Sequence, residues 1–478
     1  MSTTLITNGY VVTVDRQRNV FTNGFVRIED DSITAIGEMS DLATEDRSSD
    51  DIFDAHGMLV MPGLINGHNH HWGSLVKNTG EGLLLEDWID TISFPLMQQL
   101  DDDALRIASY LGNLEMIRTG TTCSFNHLFN INDHDSVKAI IEPVLEMGMR
   151  QLVGKECRHT PDPPFSDLYP AVPHVRNLDE ELTLAEELVD RWDGAGGIVH
   201  IGLAIETGAN WLLHNQTSID LIHAGHDLAR RRDLKITNHC GAGTFWRSIK
   251  DAILLTGGGD IDLLAREGVL DDHWVLIHDL WVSERELKLA SEARVNMVIN
   301  PASEAYSSDG VPPLKRILAH PGINVGLGSD GAYVNCSVDM VEQMKFTALI
   351  ENVTHYDPTL VSSERAIEMA TINCAKALGL DDKIGSLEVG KRADIAIFDL
   401  EKSHIAVGHR PVGALVFSSH GTDCDSLMVN GQFLMRNTEL AFDREMEVLK
   451  EAKIIADKML VGAGLYDRAN VPWNKTTS

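Results

Sequence analysis

The stretch Pro62-Gly63-Leu64-Ile65-Asn66-Gly67-His68-Asn69-His70 joins a short apolar run to two histidines spaced two residues apart. Side chains of a β-strand alternate between its faces, so His68 and His70 point the same way from the end of the predicted strand. Two imidazoles on one face can supply half of the ligands of a zinc-like ion. His71 leaves the register open, because Asn69 and His71 form an equally spaced pair. For this segment alone, a polar loop with incidental histidines is the alternative interpretation.

Apolar, strand-like runs alternate with amphipathic stretches from residue 63 to residue 380, which predicts parallel strands joined by helices. Eight such βα steps are what a closed (β/α)₈ barrel of the TIM type requires, so we expect an α/β fold of this kind. The predicted strands are Gly63–Asn66, Thr121–Phe125, Gln151–Lys155, Ile198–Ile205, Leu234–Asn238, Trp274–Ile277, Val295–Ile299 and Ile323–Leu327.

Short strands separated by turn residues are predicted at both ends of the chain. They precede residue 62 and return in Ala393–Phe398, Leu415–Phe417 and Leu427–Val429, the last followed by the hairpin turn Asn430-Gly431. We predict that residues 1–62 and 381–440 together form a small β-sandwich, that residues 63–380 form the barrel, and that residues 441–478 form a C-terminal helix and tail.

The composition is that of a folded globular protein, with 43% hydrophobic and 23% charged residues in 478 positions. A formal net charge of −31 repels phosphates and anionic lipid, so we expect a small-molecule substrate and neither nucleic acid nor membrane as a partner. Six cysteines are too few for a disulfide scaffold in a chain of this length. The N-terminal residues lack the pattern of a signal peptide, and we expect a cytoplasmic protein.

Three further polar residues stand where predicted barrel strands end. They are His239, His278 and Asp330. The carboxyl ends of barrel strands open on one face, so these side chains should converge with His68 and His70. Taken singly, His278 could be a buried structural histidine and Asp330 a helix N-cap. The coincidence of all of them favours a metal site.

Four segments resemble the amidohydrolase superfamily. They are Pro62–His70, Gly120-Thr121-Thr122, Gly328-Ser329-Asp330-Gly331 and the late run Gly385–Asp394, which has the pattern Gly-x-Leu-x-x-Gly-Lys-x-Ala-Asp. The resemblance covers nearly the whole chain and is to the branch that contains triazine hydrolases and cytosine- and adenosine-type deaminases. It implies a metal-dependent hydrolase that acts on carbon–nitrogen bonds other than peptide bonds, and it also implies a homo-oligomer.

The resemblance implies a role for each polar strand end. His68, His70, His239 and Asp330 would bind one divalent ion, with Zn²⁺ the first choice and Fe, Mn or Co as alternatives. Asp330 would also accept the proton of the attacking water, and His278 would contact that water or the substrate.

The chain departs from the deaminase pattern just beyond His239. Deaminases of this branch carry His-x-x-Glu, whose glutamate protonates a ring nitrogen, whereas Cys240-Gly241-Ala242 follows here. The missing donor favours cleavage of an amide, urea or carbamate-like bond. One alternative is a deaminase or dechlorinase of an aminated heterocycle of the purine, pterin or triazine type, with Glu206 or His278 as the proton donor. Another is a catalytically silent scaffold.

Glu206 ends the fourth predicted strand and Lys155 the third. Binuclear members of the superfamily use a carboxylate or a carboxylated lysine from this region to bridge two ions, so a second ion stays open. Glu206 is otherwise a candidate catalytic acid or base, and Lys155 a candidate substrate contact. Ordinary charged strand ends are the simpler interpretation of both.

Four more residues are candidate substrate contacts. Asn126 and His127 follow the second predicted strand and Asn300 the seventh, and the corresponding stretches line the pocket in triazine hydrolases. Trp88 lies in the loop after the first strand and could form part of an apolar wall. Turn formation, backbone capping and core packing are the alternatives for these residues.

Overall fold

The fold is described from a computed structural model, which covers residues 2–43, 49–129, 133–160, 177–207 and 217–471. The predicted C-terminal helix is present as Glu445–Gly462, whereas the tail predicted after Val471 lies outside the described residues. None of the helices in these ranges is long and apolar enough to cross a membrane.

The N-terminal segment supplies five strands of a mixed sheet. Its first strand pairs antiparallel with the second, and in parallel with the fourth and the fifth at different points along its length. The strands are β1 (Thr3–Val12), β2 (Val20–Glu29), β3 (Ser32–Glu38), β4 (Asp51–Asp54) and β5 (Met58–Pro62).

The next eight strands form a second sheet, and they are all parallel and follow one another in chain order. Each one overlaps a predicted barrel strand, so the (β/α)₈ prediction is confirmed. The strands are β6 (Leu64–Asn69), β7 (Thr121–His127), β8 (Arg150–Glu156), β9 (Val199–Ala204), β10 (Ile236–Cys240), β11 (Trp274–His278), β12 (Asn296–Ile299) and β13 (Asn324–Leu327).

The C-terminal strands are β14 (Ile395–Asp399), β15 (Cys424–Val429), β16 (Gln432–Arg436) and β17 (Glu439–Leu440). The sequence analysis predicts a small β-sandwich from the two ends of the chain. In the structure β14 pairs antiparallel with β5, so the two ends meet in one nine-stranded sheet. The predicted strand Leu415–Phe417 is wrong, because these residues end a helix that begins at Pro411. Proline favours the first position of a helix, and three apolar residues do not distinguish a strand from a helix.

Helices cover the outside of the barrel. Their buried faces pack with the outward side chains of the strands, such as Trp274 and Leu276 of β11, while Val275 and Ile277 pack inside the barrel. The helices are α1 (Leu85–Trp88), α2 (Phe94–Met97), α3 (Asp102–Arg118), α4 (His134–Met147), α5 (Leu178–Trp192), α6 (Ile219–Arg232), α7 (Lys250–Thr256), α8 (Asp260–Arg266), α9 (Glu284–Ala293), α10 (Pro301–Tyr306), α11 (Leu314–Ile317), α12 (Ala332–Asn335), α13 (Met340–Thr354), α14 (Ser363–Met369), α15 (Ile372–Ala377), α16 (Pro411–Phe417), α17 (Glu445–Gly462) and α18 (Tyr466–Ala469).

The barrel closes where the end of β13 meets β6. Asn66 donates a side-chain hydrogen bond to Ser329 Oγ at 2.7 Å, and the N–H of Ser329 donates to Asn66 Oδ1 at 3.0 Å. The N–H of Asp330 donates to the carbonyl oxygen of His68 at 3.0 Å. A Cβ atom on Gly328 would lie 2.9 Å from the backbone of His68, so this approach requires glycine. The seam therefore places Asp330 directly beside the first-strand histidines.

Candidate metal centre and active site

The four residues that the sequence predicts as metal ligands converge at the carboxyl end of the barrel. His70 Nε2 lies 3.3 Å from His239 Nε2 and 3.4 Å from Asp330 Oδ1. His68 Nε2 lies 3.7 Å from the same carboxylate oxygen. The alternative pair, Asn69 and His71, does not supply a ligand from His71, because the ring of His71 lies 3.3 Å from the side chain of Gln151 instead.

The orientation of each imidazole leaves a lone pair facing the centre. His70 donates from Nδ1 to the carbonyl oxygen of His127 at 2.8 Å, and His239 donates from Nδ1 to Glu206 Oε1 at 2.6 Å. Their Nε2 atoms then face one another as acceptors, an arrangement that a shared cation would stabilise. His68 is fully buried, and neither of its ring nitrogens has a hydrogen-bond partner within the described residues. This set of imidazoles and a carboxylate fits a divalent ion such as Zn²⁺.

The protonation states agree with that fit. Burial lowers the pKa of His68 to about 3 and that of His127 to about 4. Burial also holds the pKa of His70 well below its ordinary value, so these imidazoles are neutral at physiological pH, as metal binding requires. Burial raises the pKa of Asp330, but the neighbouring histidines, His68 first, outweigh it and hold that pKa well below its ordinary value.

Asp330 is held by short hydrogen bonds in a backbone conformation that is uncommon for residues other than glycine. Its φ is 59°. The N–H of Gly331 donates to Oδ1 at 2.6 Å, and the hydroxyl of Ser303 donates to Oδ2 at 2.6 Å. Both carboxylate oxygens are therefore fixed in direction before any ligand binds.

His278 ends β11 with its ring against two carboxylates. Its Nε2 lies 3.8 Å from Asp330 Oδ2, and its Nδ1 donates to Glu304 Oε1 at 3.3 Å. Burial lowers the pKa of His278, but the hydrogen bond with Glu304 and the charge of Asp330 outweigh burial and raise it to about 9. The side chain of Asn300 is fully buried, and its Nδ2 lies 3.4 Å from the same Nδ1.

Glu206 lies behind His239, and both of its carboxylate oxygens are engaged there. Oε1 accepts from His239 Nδ1 and lies 3.1 Å from His127 Nε2, and Oε2 accepts the N–H of His239 at 3.0 Å. Burial raises the pKa of Glu206, but these two histidines outweigh it and lower the pKa. The atoms of His127, Glu206 and His239 lie close enough together to form a second group that could hold an ion.

Two predicted substrate contacts are not brought to the metal centre. Lys155 is buried and donates to Glu181 and to the carbonyl oxygen of Glu156. Asn126 is buried and accepts the N–H of His71 at 3.2 Å. The hydrogen bonds of both side chains therefore hold the ends of barrel strands, away from the metal centre.

An apolar cleft opens over the metal centre. Trp88, a predicted substrate contact, lines it and stacks on Tyr333 with ring centroids 4.6 Å apart. Ala242 also lines the cleft, at the position where the deaminase pattern has its glutamate. Among the described residues around the cleft, Asp330 is the only one with a carboxylate. The lining residues are His70, Leu85, Trp88, Ile89, Ser93, Phe94, Met97, Phe129, His239, Ala242, His278, Asp330, Tyr333 and Val334.

Sequence reasoning missed four residues of this region: Ser303, Glu304, Phe129 and Tyr333. Ser303 and Glu304 lie on α10, whose start at Pro301 is a recognisable helix signal that folds the chain back over the strand ends. Phe129 and Tyr333 carry no pattern that separates them from core aromatics.

The fold and the site define a metal-dependent hydrolase built on a (β/α)₈ barrel. The sequence profile of the amidohydrolase family matches residues 59–434, and the chain belongs to this family. Its relatives that are named as deaminases act on carbon–nitrogen bonds.

Relatives match nearly the full length of the chain. The 5-methylthioadenosine/S-adenosylhomocysteine deaminase of Acetivibrio thermocellus is 29% identical over 95% of this chain and 99% of its own. The structure of an adenosine deaminase from Xanthomonas campestris with bound zinc superposes with a TM-score of 0.86 at 23% identity, over 96% of this chain and 98% of its own. The atrazine chlorohydrolase of Arthrobacter aurescens TC1, solved with zinc, gives 0.85 at 22% identity over 95% and 100%. The predicted resemblance to deaminases and triazine hydrolases is confirmed.

Proposed function

We propose that this enzyme hydrolyses an amide, urea or carbamate-like bond in a small molecule that carries an aryl or alkyl group. The observation that carries the proposal is Ala242 on the cleft wall. Hydrolysis at a heteroaromatic ring needs a proton on a ring nitrogen, and a methyl group cannot supply it. An acyclic carbonyl can instead be activated through its oxygen by a metal ion.

The apolar lining supports the choice of substrate class. The apolar residues that line the cleft over the metal centre include Trp88, Ile89, Phe94, Met97 and Phe129. Burying an aryl or alkyl group against such a surface contributes about 25 cal/mol per Å² of apolar area, or roughly 2 kcal/mol for a phenyl ring. Binding energy of this kind positions the reacting bond over the metal centre.

In this proposal one divalent ion is held by His68, His70, His239 and Asp330, and it supplies an acidified water and a polarised carbonyl. Asp330 accepts the proton of the attacking water. His278 contacts the reacting group beside Asp330, and this contact stabilises the negative charge that develops there. Glu206 fixes the tautomer of His239, because both of its oxygens bond to that residue. This engagement favours one ion over two.

A second candidate function is hydrolytic deamination of a 5′-substituted adenosine. The relatives favour it, since they match this chain from end to end and are named as deaminases of such nucleosides. His278 would then have to protonate the purine ring, since its ring lines the cleft and Glu206 is turned away from it.

The test is a panel of substrates given to the metal-loaded enzyme. Acetanilide, phenylurea and N-phenylcarbamates are compared with adenosine, 5-methylthioadenosine and an aminotriazine, and aniline and ammonia are quantified by chromatography. We expect aniline release, abolished in Asp330→Asn. Ammonia from nucleosides with no turnover of the acyclic compounds would overturn the proposal in favour of the second candidate. Metal binding without any turnover would favour the scaffold.

We also propose that the enzyme works as a cytoplasmic homo-oligomer. The described cysteines are all free, as a reducing compartment favours. Helix α13 exposes Phe346, Leu349 and Val353, and Tyr356 is exposed just beyond its end, so this surface is suited to self-association. Light scattering of the purified protein would test the oligomeric state, and a monomeric mass would contradict it.

A further inference from the structure

Glu304 is a buried carboxylate placed directly behind His278. It is 1% exposed and belongs neither to the cleft lining nor to the proposed ligands. Its Oε1 accepts the N–H of Asn300 at 2.8 Å and the Nδ1–H of His278 at 3.3 Å. Its Oε2 has no hydrogen-bond partner within the described part of the chain. A buried carboxylate is costly unless it is hydrogen-bonded, and the ring N–H of His278 is a side-chain donor in contact with it.

We propose that Glu304 is the positioning residue through which His278 delivers a proton to the leaving nitrogen, in place of the glutamate that the chain lacks at position 242. The inference rests on the proposed function, which it deepens by naming the proton donor. It is carried by three observations: the contact between Glu304 and His278, the burial of both, and the methyl group of Ala242 in the cleft.

The hydrogen bond sets the direction of the imidazole. A carboxylate only accepts, so Nδ1 of His278 carries a hydrogen and points into the protein, which leaves Nε2 for the cleft. The backbone reinforces this orientation, since His278 has a φ of 78° and Asp279 one of 53°. Left-handed conformations at two consecutive residues other than glycine persist only where the surroundings hold them.

Two side chains, Asp330 and His278, account for all the proton transfers of the reaction. Attack of water forms the C–O bond, and its proton passes to the carboxylate of Asp330. This proton passes from Asp330 to Nε2 of His278, which lies 3.8 Å from Oδ2. The C–N bond breaks as Nε2–H passes a proton to the departing nitrogen, which leaves as a neutral amine, and both side chains return to their starting states. The carboxylate of Glu304, in contact with Nδ1, stabilises the transient imidazolium.

Two variants of Glu304 separate its charge from its hydrogen bonds. Glu304→Gln keeps an acceptor for His278 and Asn300 but removes the charge, and Glu304→Leu removes both. Glu351→Gln is the matched control, because Glu351 on α13 is also a fully buried acid but has no hydrogen bond to His278. Metal content and melting temperature are measured for each variant, so that misfolding is recognised.

The decisive readout is the dependence of kcat on the leaving group. Anilides of aniline and of 4-nitroaniline are compared, because the weakly basic nitroaniline departs with little help from a proton. We expect Glu304→Gln to lower kcat for the aniline substrate about 100-fold, with KM and metal content unchanged, and to lower kcat for the nitroaniline substrate less than about 10-fold. Glu351→Gln should keep both rates.

An equal loss for both leaving groups, or no loss, would overturn the proposal, since either would show that Glu304 does not act on the departing nitrogen. If only nucleosides are turned over, the proposed function fails separately, and the same comparison uses adenosine and 6-chloropurine riboside. Chloride needs no proton to leave, so the same difference between the two substrates is expected. Absence of turnover by the wild-type enzyme on every substrate would overturn both proposals.

Discussion

The ring of His239 depends on a neighbour that never reaches the cleft. Glu206 accepts hydrogen bonds from both Nδ1 and the backbone N–H of His239, and this fixes Nε2 toward His70. Carboxylates in this position typically change metal affinity by about 10- to 100-fold when they are removed. The effect of Glu206 on the metal should therefore be on affinity rather than on the number of ions.

Replacing Glu206 with Ala should weaken metal binding without changing the saturating stoichiometry. Elemental analysis of protein purified without added metal or chelator should give about one ion per chain in the wild type. The variant should hold less than one ion, and return to one ion at high free Zn²⁺. About two ions in the wild type, falling to one in the variant at saturation, would instead make Glu206 a bridging ligand.

Two segments of the chain that form the cleft wall are joined by the carboxylate of Glu86. Residues 85–97, which include α1 and α2, supply most of the apolar lining. Glu86 accepts hydrogen bonds from the N–H of Thr244 at 2.8 Å, from its hydroxyl at 2.7 Å and from Ser248 Oγ at 2.7 Å. The loop after β10 thus holds the loop after β6 over the metal centre.

Glu86→Gln should loosen this wall and weaken the binding of aryl substrates. Hydrogen bonds to a charged group contribute about 1.5 kcal/mol or more each, so we expect KM for a phenyl substrate to rise about tenfold. An analogue with a methyl group in place of the phenyl ring does not contact this wall. Its kcat should stay within about twofold of the wild-type value. The matched control is Asp87→Asn, which breaks only the half-exposed pair with Arg247. An equal rise of KM in both variants would contradict this role.

The barrel and the terminal sheet are joined across the whole molecule by a buried ion pair. Arg150 begins β8, and its Nε and Nη2 donate to the two oxygens of Asp394 at 2.7 and 3.0 Å. Both side chains are at most 2% exposed. Asp394 ends the late glycine-rich run that marks the family resemblance, and it also accepts the N–H of Asn430 at 2.8 Å. This residue therefore ties three distant parts of the chain together.

Asp394→Asn should destabilise the protein strongly, because it leaves the charge of Arg150 buried without a partner. We expect the free energy of unfolding in urea to fall by about 3–5 kcal/mol. Glu368→Gln breaks the ion pair with Arg18, whose side chain is 65% exposed, and should cost about 1 kcal/mol or less. Similar unfolding midpoints for the two variants would show that the Arg150 pair does not join the two parts of the molecule.

Much of the architecture could be predicted because its signals are local. The alternation of apolar and amphipathic stretches locates every barrel strand. The two-residue spacing of His68 and His70 on β6 puts both rings on one side of the strand. Local signals fail where one short run suits two structures. Leu415–Phe417 is apolar enough for a strand, but it packs as the end of α16.

The sequence by itself determined the barrel and the strand ends that meet at the metal centre, because periodicity and parallel topology dictate them. Only the tertiary structure decided which polar groups face the cleft. Glu206 is turned behind His239 and Glu304 lies behind His278, while Ala242 opens the wall. Direction depends on hydrogen bonds between residues distant in the chain, and these exist only once the barrel has closed.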